Sequence, residues 1–322
     1  MLSQKLFTKE EERENQAEKA LFSLLELNKE NNRIFEIDSD IALQSHILKP
    51  EDSIQIGSVV SNQESKNVFL VNSIKDSIDN FLKIYSGFIK TLPKFIGNKS
   101  KEISLSFINV LSSESKDKKS DISMVRDLNK VNIFIPADAN EAEYLIRVSE
   151  KKIFKNVQNG FSYFRLSNAD SPKIFEDNYF IEYDNLREYT GMPEVVFISK
   201  NNESAFKVGI ITTGPVLYNA LVAARELEER NYDVTILNVS LISSNSEYIN
   251  QKIKSFILNF ANTNKNILTV EEHSKNGGLG SLVAETVTES RNNQIIRVER
   301  LGLEEDLSPR NIISKCEEIC GW

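Results

Sequence analysis

Residues Ile267 to Glu285 read ILTVEEHSKNGGLGSLVAE, and the rest of the chain is organised around them. Ile267 to Val270 are four apolar or β-branched residues in a row, the composition of a buried strand. Glu271, Glu272 and His273 follow, and then Gly277, Gly278 and Gly280 open a helical pattern. A strand, a tight turn and a helix start make the unit from which parallel α/β sheets are built. Three of the chain's 12 glycines fall within these four positions, so the backbone there needs positive φ or a close approach that a side chain would forbid. Taken alone, the turn also reads as an anion cradle, because glycines at a helix N-terminus can present free amides.

Outward from this unit, strands and helices alternate strictly. Strands are predicted at 206–215 (FKVGIITTGP), 233–240 (DVTILNVS) and 295–300 (IIRVER), and helices at 216–231, 245–262 and 308–319. Ala220, Ala223, Ala224 and Leu227 give the first of these helices an apolar face. The alternation predicts a parallel α/β domain over residues 205–322.

The N-terminal part carries the same grammar. An amphipathic helix is expected over 9–30, a short strand at 33–37, and strands at IQIGSVVS and NVFLVNS, with a helix at 77–89 between the latter and EISLSFINVL (102–111). SSESKDKKSD (112–121) has no apolar residue and reads as a loop, DISMVRDL as a short helix, and FSYFRLS (161–167) as a strand. In VNIFIPADANEAEYLIRVSEK, Pro136 ends a strand and Asp138 or Asn140 caps the helix that carries Glu141. These elements predict a first domain over 1–188, joined to the second by a polar stretch at 184–204 in which VVFIS forms a small strand.

Composition sets bounds on function. The chain has 322 residues, 40% hydrophobic and 27% charged, which suits two globular domains. A formal net charge of −8 does not favour nucleic-acid binding. The N-terminal MLSQKLFTKEEERENQAEKA lacks the features of a signal or transit peptide, and no apolar run reaches spanning length. A soluble cytoplasmic protein is expected, without membrane partners. Cys316 and Cys320, the only cysteines, read as two reduced thiols. His46 has no informative context.

EEHSKNGGLGSLVAE (271–285), with GIITTGP, NALVAARELEERNYDVTILNVS and IIRVERLGL around it, resembles the C-terminal domain of transketolases. The position of His273 favours that branch over 2-oxoacid dehydrogenase β subunits and deoxyxylulose-phosphate synthases. SDISMVRDLNKVNIFIPADANEAEYLI (120–146) is similar to the end of the family's pyrimidine-binding domain, and ALFSLLELNKENNRIFEIDSDI (20–41) to its opening. The resemblance implies two three-layer α/β/α domains. The family's N-terminal domain, with its diphosphate- and magnesium-binding motif, has no counterpart here, so the chain looks like the C-terminal section of a transketolase split into two polypeptides.

The same resemblance implies a site for thiamine diphosphate, with magnesium, once a partner chain supplies the missing domain. The family's catalytic glutamate corresponds to Val60 in IQIGSVVSNQ, a residue that transfers no proton; Glu64 stands in the same loop at a different spacing from Gly57. Of the aromatic stretch that stacks on the pyrimidine ring, Phe69 remains. Arg165 matches a substrate-phosphate arginine, whereas its partner position is Asn168. No metal ligand is expected in the chain itself. Glu271, Glu272, His273, Gly277, Gly278 and Gly280 are read as a turn that supports fold and assembly. The implied functions are a degenerate, non-catalytic subunit, an active subunit transferring a two-carbon ketol unit between sugar phosphates, or, less well supported, a 2-oxoacid dehydrogenase β-like subunit. A homodimer, or a heterotetramer with a transketolase N-terminal subunit, is the implied assembly.

Overall fold

The computed structural model of the chain describes residues 2–31, 34–37, 67–73, 104–111, 119–128, 131–149, 161–177, 179–180, 191–201, 204–290 and 294–321. Its N-terminal part runs β1 (Arg13–Asn15), α1 (Gln16–Asn31), β2 (Ile34–Ile37), β3 (Asn67–Ser73), β4 (Ser104–Leu111), α2 (Asp121–Arg126), β5 (Val131–Phe134), α3 (Ala139–Ser149), β6 (Phe161–Ser167) and β7 (Asp170–Pro172). The C-terminal part runs β8 (Glu194–Ile198), β9 (Lys207–Thr213), α4 (Leu217–Glu229), β10 (Asp233–Asn238), β11 (Leu241–Ser243), α5 (Glu247–Asn264), β12 (Asn266–Glu271), α6 (Leu279–Glu289), β13 (Arg297–Leu301) and α7 (Pro309–Cys320).

Two main sheets result, of order β11-β5-β6-β4-β3-β2 and β13-β12-β9-β10-β8. Both are parallel except at one edge each, where β11 and β8 run antiparallel to β5 and β10. The predicted α/β class and the parallel βαβ units are therefore present. Central β6 shows why a run such as FSYFRLS is so apolar. Phe161, Tyr163, Phe164 and Leu166 are all buried, as both faces of a parallel sheet are covered. In the second sheet α4 packs with α7 and α5 with α6, one pair to each face.

Several boundaries differ from the sequence reading. Helix α1 begins at Gln16 instead of residue 9, because the Asn15 side chain accepts from the amides of Ala17 (3.0 Å) and Glu18 (3.2 Å) and fixes the N-terminus there. The preceding residues pair with β7. The stretch read as a junction supplies β8, whose residues Glu194 to Ile198 belong to the second sheet. Strand β11 leaves the second part altogether and extends the first sheet, with Leu241 opposite Phe134. The carbonyl of Gly191, a residue at φ 74°, accepts from the Leu241 amide at 2.9 Å. Val60, Glu64, His46 and the predicted strand at IQIGSVVS and helix at 77–89 lie outside the described residues.

The two sheets meet at the C-terminal ends of their strands. Ile135, just beyond β5, donates its amide to Ser240 O at 2.8 Å. A methyl group on Gly214 would stand 3.1 Å from the Ile135 side chain, so the turn after β9 lies directly against the first part. Between β9 and β12, where the crossovers diverge, an open α/β sheet has its usual ligand crevice. Here the first part of the chain closes over that end of the sheet.

Candidate functional site at the seam between the sheets

The glycines of the 277–280 turn meet three different demands. Gly277 has φ 80°, and a Cβ there would lie 2.4 Å from Ser123 Cβ and 2.9 Å from Ser123 Cα, so the turn abuts the backbone of α2. A Cβ on Gly278 would strike Glu271 Oε2 at 2.0 Å, and one on Gly280 would reach Thr269 Oγ1 at 2.8 Å. The space kept clear at Gly278 holds the Glu271 carboxylate. Its Oε2 accepts from the Leu279 amide at 2.7 Å and its Oε1 from the Gly280 amide at 2.8 Å. The first amides of α6 are thus capped by the chain's own glutamate, which also complements the helix dipole. They are not presented to an anion, and the bare-turn reading as a phosphate cradle gives way to a self-capped turn.

Helix α2 fastens this turn to the first sheet. The Arg126 guanidinium donates to the carbonyls of Gly277 and Gly278, each at 3.4 Å, and pairs with Glu285 on α6. The Ser274 amide donates to Lys119 O at 3.3 Å. Deeper in, Asp121 Oδ2 accepts from Tyr163 OH and from Arg165 Nε, both at 3.0 Å, and Tyr163 OH in turn accepts from the Asn109 side-chain amide. Arg165 Nη2 reaches across the seam to Glu272 O at 2.7 Å. Arg165, the expected phosphate-binding residue, is only 5% exposed and is held by a fully buried aspartate and a backbone carbonyl.

His273 is buried beside this group, with Nδ1 2.8 Å from Ser274 O. Burial is the largest influence on the ring and holds it below the ordinary histidine value, against the pull of Asp121. A second buried group lies along the same seam. Asp138 Oδ1 caps α3 through the Glu141 amide (2.8 Å), while its Oδ2 accepts from the amides of Ile174 and Phe175, both at 2.8 Å. Glu141 accepts from Ala137 N at 2.6 Å and from the Ser240 hydroxyl and Asn238 amide of the second part. Of the two cap candidates Asp138 fills the role, and Glu141 joins the halves.

The structure brings Arg165, Glu271, Glu272 and His273 together with the three glycines. Phe69 is on β3, opposite Ser106 of β4. Asp121, Ser123, Arg126, Tyr163 and Ser240 complete the seam and were not picked out from sequence. The one hint was the acidic start of DISMVRDL, since a buried arginine needs a buried carboxylate. Cys316 and Cys320 are free thiols, and burial raises both above the ordinary thiol range. Among the described residues no three His, Cys, Asp or Glu side chains are arranged to hold a metal ion. With the α6 amides also occupied, these residues do not fit the diphosphate and magnesium end of the cofactor.

Burial is also the largest influence on Glu271, pushing its carboxyl from 4.5 up to about 7 against the pull of the two amides. Between those values the folded chain holds a proton that the unfolded chain has released, so stability falls as pH rises through the window. Asp138, raised to about 7 by burial, acts with the same sign. Glu271→Gln is therefore expected to remove part of the decline in Tm between pH 4.5 and 7. An unchanged slope in thermal unfolding would show that Glu271 is not its source.

Comparison with known families agrees with this architecture. Residues 200–311 match the family described as transketolase, C-terminal domain. The second part of the chain is a transketolase C-terminal domain. Among curated relatives, one subunit of the apulose-4-phosphate transketolase of Actinobacillus succinogenes is 29% identical over 170 residues, covering 52% of this chain and 46% of the relative. The 1-deoxy-D-xylulose-5-phosphate synthase of Desulfitobacterium hafniense is 37% identical over 98 residues, covering 30% of this chain and 14% of the relative. The matches thus span less than half the length of these relatives. A solved structure described as a split gene transketolase, inactive beta4 tetramer, superposes with a TM-score of 0.65 at 19% identity, covering 95% of this chain and 98% of that one. At that identity the likeness is one of fold, and it extends beyond the transketolase C-terminal domain to nearly the whole chain.

Proposed function

We propose that the chain is the C-terminal subunit of a two-chain transketolase-like assembly and contributes fold and assembly surface without catalysing ketol transfer itself. The observation that carries this reading is the state of the seam. Arg165, Asp121, Glu271 and Glu141 are engaged by neighbouring side chains and backbone groups of the chain itself, leaving a rigid joint between two domains. The sequence supports it from the other side, with Val60 at the position of the family's catalytic glutamate. The solved structure of similar fold is itself described as inactive.

In this reading thiamine diphosphate and magnesium are bound only in a cytoplasmic complex whose other chain supplies the diphosphate and metal ligands. The domain described here would then supply a fixed wall beside the cofactor and no proton transfer to it. A second reading is favoured by the similarity to one subunit of an apulose-4-phosphate transketolase: the pair of chains is an active ketol transferase.

Calorimetric titration with thiamine diphosphate and magnesium, alone and with a transketolase N-terminal chain, together with a ketol-transfer assay, separates the two. The expected result is no binding heat for the isolated chain, and a complex that forms without turnover. Turnover that requires both chains would overturn the non-catalytic reading in favour of the second.

A further inference from the structure

His273 and Asp121 face each other across the seam from opposite halves of the chain, one just beyond β12 and the other opening α2. Both side chains are completely buried, at 0% exposure. The ring's Nδ1 lies 2.8 Å from Ser274 O. A carbonyl only accepts, so Nδ1 carries the hydrogen and the neutral ring leaves Nε2 as a bare lone pair. Nε2 and Asp121 Oδ1 stand 3.9 Å apart, and among the described residues neither has a hydrogen-bond partner. Buried polar atoms are normally satisfied, and here two acceptors face each other about 1 Å beyond hydrogen-bond length, so that one proton and a small approach would satisfy both. The other Asp121 oxygen is fully engaged by Tyr163 and Arg165, which fixes the carboxylate in place.

We propose that His273 and Asp121 form a proton-operated clasp between the two halves: a proton taken up at Nε2 closes an ion-paired hydrogen bond across the seam, and its loss releases it. Arg165 already spans the same gap, from Asp121 Oδ2 to Glu272 O, so the clasp adds a second, titratable tie beside a permanent one. The charged and titratable groups around the ring are Asp121 on α2, Arg165 on β6, Glu271 at the end of β12, with Oε2 4.0 Å from Nδ1, and Glu304 beyond β13; one step further out, Tyr163 bonds Asp121 and Arg126 acts on Glu271. Asp121 and Glu304 favour the imidazolium, while burial and Arg165 oppose it more strongly, so the clasp closes on the acid side of the ordinary histidine range.

The chain has 2 histidines, so the ring Cε1–H signals in an NMR pH titration of the full chain are readily assigned with His46→Gln. Removing the facing charge with Asp121→Asn is expected to lower the His273 midpoint by about one pH unit, a tenfold loss of proton affinity. An unmoved midpoint would overturn the clasp. Should that variant not fold, the wild-type chain still decides. Below the midpoint the Nε2–H proton is expected to be visible and slow to exchange with water, as a hydrogen held inside the seam must be. Rapid exchange would mean that the charged ring leaves the seam, the opposite of a clasp.

Discussion

Replacing Gly277 by alanine is expected to lower stability by about 2–5 kcal/mol, adding roughly 1–2 kcal/mol for an L-residue in the left-handed region to about 1–3 kcal/mol for overpacking. The first part follows from φ 80° and the second from the 2.4 Å and 2.9 Å approaches to Ser123 Cβ and Cα. Neither obstacle is the tip of a flexible side chain. The Cα belongs to α2, so relief requires moving a helix whose Arg126 grips the same turn and whose Asp121 lies under Arg165. The damage should thus spread from the turn to the joint between the halves, and Tm should fall by on the order of 10 °C. Ser123→Gly in the same chain removes one of the two contacts and is expected to recover part of the loss. A fall in Tm of only a degree or two in differential scanning calorimetry would show that α2 does not press on the turn. Gly278→Ala offers a useful contrast. Its obstacles are side chains, the Glu271 carboxylate and the His273 ring, whose Nδ1 a Cβ would approach to 2.8 Å, so its cost combines the uncapping of α6 with displacement of that buried ring.

This contrast also shows what could be read in the sequence. Three glycines at a helix start announced that the backbone was constrained there, and the strict alternation of strands and helices gave both parallel sheets. Those signals are local or periodic, and short-range patterns carry them. The partners were not legible in this way. That Gly277 answers to Ser123, Gly278 to Glu271 and Arg165 to Asp121 depends on contacts between residues that lie far apart in the chain in two of the three cases. Strand β11 was missed for a related reason. LIS is too short to show a period and becomes a strand only because the edge of β5 is open beside it. The anion-cradle reading of the turn failed on a detail eight residues away, since composition cannot tell whether Glu271 faces solvent or folds back onto the Leu279 amide.

Arg165 gives the sharpest separation between a binding role and a structural one. An arginine that clamps a substrate phosphate must be solvated when the substrate is away, and removing it costs affinity while leaving the fold unchanged or more stable. In the structure its side chain is 4% exposed and its Nε lies 3.0 Å from an Asp121 carboxylate that is itself 0% exposed. Taking away one partner of such a pair leaves a buried charge uncompensated, and Arg165→Ala is expected to lower stability by about 3–5 kcal/mol. Arg165→Lys should recover little, because a single ammonium does not reproduce the fork that spans Asp121 Oδ2 and Glu272 O. Removing both charges together, as in Arg165→Met with Asp121→Asn, is expected to be milder than Arg165→Ala alone, since it leaves no orphaned carboxylate. Because the pair is dry, the loss should be nearly the same in about 0.05 M and about 0.5 M salt. Denaturant unfolding of the wild-type chain and these three variants at both salt concentrations measures all of this. If Arg165→Ala keeps the wild-type stability, the arginine is not the keystone of the seam and the phosphate-binding role regains its place.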